Sequence, residues 1–212
     1  MNSRNWVKFF LRTLLLGGIV TVITGIFVSF EEYKGYIANL EFLEILVAVA
    51  WLFVLGLLFS VISQMGFLAY LMIHRLGLEL FRSLWNGVQF VLIAFVFFDL
   101  IYFRYRAFAE PGDSVLPYFL IALFILLIGI VVAYVKSQQS NKKAFIPALF
   151  FMMVITTIEW VPVLQHNDPN WLHLMLYPLL ICNTYQLLTL QKYNLRSQQE
   201  RIAKQETKAI TQ

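Results

Sequence analysis

Charge is what this 212-residue chain has least of. Asp, Glu, Lys and Arg together make up 13% of it, against about 25% in an ordinary soluble domain, and 60% is hydrophobic. Mean hydropathy is +0.73. So little charge cannot cover the surface of a water-soluble globule of this length, which leaves an integral membrane protein. The length suits one compact bundle. Cysteine is nearly absent too. Cys182 stands alone, which excludes an intrachain disulfide and any multi-cysteine metal centre. Phosphate-cradling glycine loops, G-x-S-x-G and H-E-x-x-H are all missing. No polar stretch is long enough to house a kinase or nucleotide domain. No internal repeat is visible, nor are the paired broken helices of secondary transporters. No enzyme activity, cofactor or metal is therefore expected.

Long apolar runs are what the chain does have. Their spacing predicts an all-α polytopic bundle of about six transmembrane helices, at residues 9–30, 43–64, 84–103, 116–135, 144–164 and 171–190. Residues 1–191 form the membrane domain and 192–212 a polar cytoplasmic tail. Arg4 and Lys8 precede the first run, as in a signal peptide. No A-x-A site follows, so it reads as a retained anchor. Lys34, Arg104 and Arg106 fall in the segments assigned outside. Every other one of the 16 Lys and Arg residues falls inside, which puts both termini in the cytoplasm. The net charge of +4 then reports topology in a multi-pass cell-membrane protein rather than a nucleic-acid partner. Trp6, Trp85, Trp160 and Trp171 sit near predicted interfaces, as an aromatic belt would.

Two stretches stand out from plain crossings. Gly17, Thr21, Gly25 and Ser29 recur every four residues, so they share one helix face. Small residues let helices approach closely, and lipid supplies no hydrophobic drive of its own. That face serves packing within the bundle, a homodimer or another membrane protein. The second stretch follows Leu43. From there to Ile73 a helix would run about 46 Å, against a hydrocarbon core of about 30 Å. Polarity first changes at Ser63-Gln64, which sets the expected inner surface near Gln64, with Gly56 and Gly66 as bend points. Residues 65–84 then form a cytoplasmic amphipathic segment. Leu76, Leu80, Phe81 and Leu84 lie on one face, and Arg75, Glu79 and Arg82 on another. Candidate partner contacts are Gly17, Thr21, Gly25, Gln64, Arg75, Leu80 and Arg82.

The ionisable groups near the membrane all map to its outer half: Glu44, Asp99, Glu159, His166, Asp168 and His173. Buried charge is expensive and is usually paired or functional. Pairing at the interface is the simplest use, with Asp99 close in sequence to Arg104 and Arg106. The rival use is a candidate outer polar cluster of Asp99, Glu159 and His173, serving a small transporter, a ligand sensor or a metal-dependent intramembrane enzyme.

The opening NSRNWVKFFLRTLLLGG, the central FSVISQMGFLAYLMIHRLGLELFRSLWNGVQ and the segment FFDLIYFRYR carry a resemblance. They resemble the KinB-signalling pathway activation (KbaA) proteins of spore-forming Bacillus-type bacteria, over roughly residues 2–190. The resemblance implies a membrane protein that activates the membrane histidine kinase KinB. That kinase feeds a phosphorelay to the response regulator Spo0A and so promotes sporulation. It implies no catalytic residues, and the kinase and the lipid bilayer as partners.

Overall fold

A computed structural model describes residues 2–29 and 42–210. The described chain is all-helical, with no strand. Helix α1 spans Ser3–Val28 and α2 spans Phe42–Phe81. A single 3₁₀ turn, Arg82–Leu84, leads into α3, Trp85–Phe98. A π-helical turn at Asp99–Phe103 joins α3 to the short α4, Arg104–Phe108. Then follow α5, Leu116–Gln139, and α6, Phe145–Phe150. A second π segment, Phe151–Ile155, runs into α7, Thr156–Leu164. Helix α8, Pro169–Ile210, closes the chain and continues through Pro178.

Four helical stretches are long and apolar enough to cross a membrane: Ser3–Val28, Phe42–Phe108, Leu116–Gln139 and Lys142–Leu164. The second of these folds back on itself at Arg82, whose φ of 46° lies in the left-handed region. A non-glycine residue is uncommon there, and it marks the sharp turn between α2 and α3.

The core is built around α6, the π segment and α7. Every residue from Pro147 to Thr157 is buried. Phe151 meets the edge of Phe67 and tilts against Tyr70, tying this layer to α2. Helix α1 runs antiparallel to both α2 and α8. Phe9 meets Phe67 on one side and Tyr185 and Tyr193 on the other. By contrast, α5 exposes Leu120, Leu127 and Val131 along its outer side, as a lipid-facing helix would.

Several expectations change here. Helix α2 is unbroken from Phe42 to Phe81, through Gly56 and Gly66. One face of residues 65–77 is covered by neighbouring helices, while Met65, Leu68, Met72 and Leu76 stay exposed. Phe67, Tyr70 and Gly77 are buried, because α3 and α6 pack alongside them. Trp85 and Trp160 are buried as well, so they are core residues rather than belt residues. Their indole N–H groups are satisfied inside, on His74 Nδ1 at 3.1 Å and the Leu172 carbonyl at 3.0 Å. Helix α8 carries on well past Lys192 into the polar tail.

Candidate functional site

The small-residue face of α1 meets α2 of the same chain. Gly17, Thr21 and Gly25 are all buried. A Cβ at Gly17 would collide with Ser60 Oγ, and one at Gly25 would collide with Leu52. Gly56 lies opposite, where a Cβ would fall 2.6 Å from the Gly17 carbonyl oxygen and from Thr21 Oγ1. This seam is two helix backbones in near contact, the arrangement that small residues at four-residue spacing permit. Ser60 reinforces it by donating to the Gly56 carbonyl at 2.9 Å, with the Thr13 and Leu14 carbonyls at 3.2 Å. Gln64, one turn on, is 5% exposed and faces the Phe10 carbonyl.

Beside the seam lies a buried polar network joining α2, α7 and α8. Ser63 donates to Asn183 Oδ1 at 2.7 Å, and Gln186 Nε2 donates to Ser63 Oγ. Asn183 Nδ2 donates to Thr156 Oγ1 at 2.8 Å and to Glu159 Oε2 at 2.6 Å. Ser63, Thr156, Asn183 and Gln186 are fully buried, and Glu159 is 5% exposed. Glu159 Oε1 lies against the backbone of Gly66, where any side chain would displace it. Neither that oxygen nor Gln186 Oε1 has a partner. The π segment Phe151–Ile155 ends at Thr156, so its extra residue sets the rotation that turns Thr156 and Glu159 inward.

The expected outer cluster does not assemble. Glu159 belongs to the network, while His173 stacks on Tyr177 and lines a separate cavity. The Asp99 carboxylate makes no hydrogen bond or ion pair among the described residues; Arg104 meets it only through the backbone, its N–H donating to the Asp99 carbonyl. Arg104 turns inward instead, donating to Asn167 Oδ1 at 2.6 Å. Its guanidinium lies over the rings of Tyr118 and Trp160, 5.4 and 5.7 Å from the centroids. Among the described residues no three His, Cys, Asp or Glu side chains come close enough to hold a metal ion.

The α2–α3 turn exposes an apolar surface. Leu76, Leu80, Phe81 and Leu84 are 53, 76, 44 and 70% exposed. Arg75 pairs with Glu79 at 3.2 Å on the exposed side, as the i,i+4 spacing predicts. Arg82 is also exposed, and its left-handed backbone takes it off the helical register that would pair it with Glu79. Underneath, Trp85 packs on Gly77 and stacks on Phe81 at 5.9 Å. The turn is therefore held by aromatic packing with its charges outward.

A last cluster ties the two ends of the chain. Asn2 Nδ2 and Arg4 Nη2 donate to Glu200 at 3.1 and 3.0 Å, and Asn5 donates to Ser197 at 2.9 Å. Asn2 and Arg4 together hold the Glu200 carboxyl below its usual range.

Sequence reasoning found the seam from its four-residue period. It missed the network, because Ser63, Thr156, Asn183 and Gln186 lie on three separate helices and share no spacing. The one available signal was that all four are polar residues inside apolar runs.

The comparisons with known proteins agree on one family. Residues 17–193 match the family described as KinB-signalling pathway activation in sporulation. The chain is 45% identical over 195 residues to the KinB-signaling pathway activation protein of Bacillus subtilis (strain 168). That alignment covers 91% of this chain and 98% of the relative. No solved structure matches. With the match spanning the seam, the network and the α2–α3 turn alike, the chain belongs to the KinB-signalling pathway activation family.

Proposed function

We propose that this protein is a six-span cell-membrane protein with both termini cytoplasmic. Its role is to activate the sensor histidine kinase KinB, and so promote phosphorelay signalling and the initiation of sporulation. The observation that carries this is the 45% identity, over nearly the full length of both chains, to a protein of that name. The span count is supported by the fold-back at Arg82, which makes two crossings of the stretch Phe42–Phe108, and by the hydrophobic first half of α8. The asymmetry of Lys and Arg supports the orientation.

Without a soluble domain, such a protein acts through its spans or its short cytoplasmic surfaces. Gly17, Thr21 and Gly25 are occupied within the chain, so the kinase meets the α2–α3 turn: Arg75 and Arg82 with Leu80 and its apolar neighbours. Activation is then a population shift, in which this protein binds the active kinase state more tightly than the inactive one. Deleting the gene in its spore-forming host should lower sporulation and a phosphorelay-dependent reporter only when KinB is present. An identical defect without KinB refutes the role. The double reversal Arg75→Glu/Arg82→Glu should lower kinase output at least tenfold with the protein still in the membrane. Unchanged output refutes the surface assignment and leaves the role standing.

A further inference from the structure

We propose that the cavity around Arg104 binds a small carboxylate with an apolar tail. Arg104 is 8% exposed, and neither Nε nor Nη1 has a hydrogen-bond partner. Only Nη2 is used, on the neutral amide oxygen of Asn167. No carboxylate among the described residues pairs with it. A buried guanidinium without a counter-charge is costly, because its aromatic neighbours replace only part of its hydration. Here neighbouring groups hold the guanidinium in place without neutralising it. Trp160, fully buried, lies on one ring contact and Tyr118 on another. Asn167 holds φ at 51°, a left-handed position that asparagine tolerates and that helps present its side chain to Arg104.

A cavity of about 390 Å³ lies against this arginine, within the size range of small-molecule sites. Its walls combine a few polar groups with apolar surface from Pro117, Ile121 and Leu172. His173 lines it too, with a buried Nδ1 that has no partner. The planar guanidinium fork matches a carboxylate, which takes two parallel N–H bonds. Asp113 also lines the cavity, and its charge opposes a phosphate dianion facing a single arginine. A monoanionic carboxylate satisfies the arginine, and an ammonium on the same molecule would face Asp113. That the cavity opens outside the cell rests on the orientation proposed above. The binding chemistry does not, and its test involves no kinase.

The test uses the full-length protein in lipid nanodiscs, with thermal stability read against added ligand. The probes are isovalerate, L-leucine, and isopentanol as the neutral isostere of the first. Isovalerate or leucine should raise the melting midpoint saturably, and isopentanol should not. Arg104→Met should weaken the response at least tenfold, and Arg104→Lys should retain part of it. Equal responses to isovalerate and isopentanol overturn the proposal, since an apolar pocket alone would give them. So does the absence of a saturable response to either carboxylate. The chain's own carboxylates are the rival counter-ions. If Asp113→Asn or Glu31→Gln/Glu32→Gln removes the stabilising effect of Arg104 and the wild type ignores both carboxylates, the arginine is paired within the chain and the site is structural.

Discussion

The α1–α2 seam can be tested by adding one methyl group. Gly17→Ala places a Cβ onto Ser60 Oγ, with Cys182 Sγ at 3.0 Å and the Gly56 carbonyl oxygen at 3.1 Å. Ser60 cannot easily yield, because its hydroxyl is held by the Gly56 carbonyl and both atoms are buried. Overpacking of this kind costs about 1–3 kcal/mol. Ser60→Ala removes the atom that is struck, at the cost of one hydrogen bond, about 0.5–1.5 kcal/mol. The double variant should therefore be more stable than the sum of the single changes by about 1 kcal/mol or more. It should not recover fully, since the sulfur and the carbonyl remain close. The measurement is reversible unfolding in mixed micelles, with fluorescence or proteolysis as the readout. Gly25→Ala is the internal control, because its Cβ meets Leu52 rather than Ser60, so Ser60→Ala should not rescue it. Additive effects at Gly17 and Ser60 would refute the seam. A Gly17→Ala protein of unchanged stability that fails to activate the kinase would show that this face meets a partner.

Two further predictions come from the buried network and from the clasp between the chain ends. Asn183→Ala strips hydrogen bonds from Ser63, Thr156 and Glu159 at once. At about 1–3 kcal/mol per orphaned group it should destabilise the bundle by several kilocalories, whereas Glu159→Gln, which keeps an acceptor, should stay folded. Unfolding midpoints of the two variants decide this, and equal midpoints count against the network. The Glu200 carboxyl is held below its usual range, so its contribution is present above the unfolded carboxylate value of about 4.3 and is lost as pH falls through the lower folded value. Docking of the α8 end, followed by a fluorophore pair at the two termini, should loosen in that acid window and lose this dependence in Glu200→Gln.

The apolar helices and the seam were legible because each depends on one helix at a time. An apolar run reports its own burial, and Gly17, Thr21 and Gly25 lie on one face by spacing alone. The network was not legible, because its geometry depends on how α2, α7 and α8 are rotated against one another. A π segment sets the rotation of α7, and nothing in FMMVI announces it. Arg104 shows the same limit. Its neighbours in sequence, Asp99 and Arg106, suggested an interface ion pair. Its neighbours in space are Asn167, Tyr118 and Trp160, from three other segments. The long run after Leu43 was partly legible: its excess length is covered by neighbours on one face. Phe67, Tyr70 and Gly77 are buried against α3 and α6, and Met65, Met72 and Leu76 are left exposed.

If the α2–α3 turn is the kinase contact proposed above, activation sets an energy that it has to meet. Moving a two-state kinase from 1:99 to 99:1 needs about 5.5 kcal/mol of differential binding. If Leu76, Leu80, Phe81 and Leu84 lie in water or among headgroups, burying what is still exposed of each contributes about 0.7–2.3 kcal/mol before ordering costs. Four such side chains then supply a large part of the requirement, provided that the active kinase state alone buries them, and the arginines supply the rest. If the same residues lie in hydrocarbon, exchanging lipid for protein contributes little, and Arg75 and Arg82 must supply most of the difference. The turn's own composition favours the first case, because Arg75, Glu79, Arg82 and Ser83 are interleaved with the leucines and all are exposed. Replacing Leu76, Leu80 and Leu84 by alanine should therefore cut kinase output at least as strongly as Arg75→Glu/Arg82→Glu. The comparison is made with a phosphorelay-dependent reporter at matched membrane levels. Full output from the triple alanine variant, beside a severe loss on charge reversal, would mean that the turn sits in hydrocarbon and works through its arginines alone.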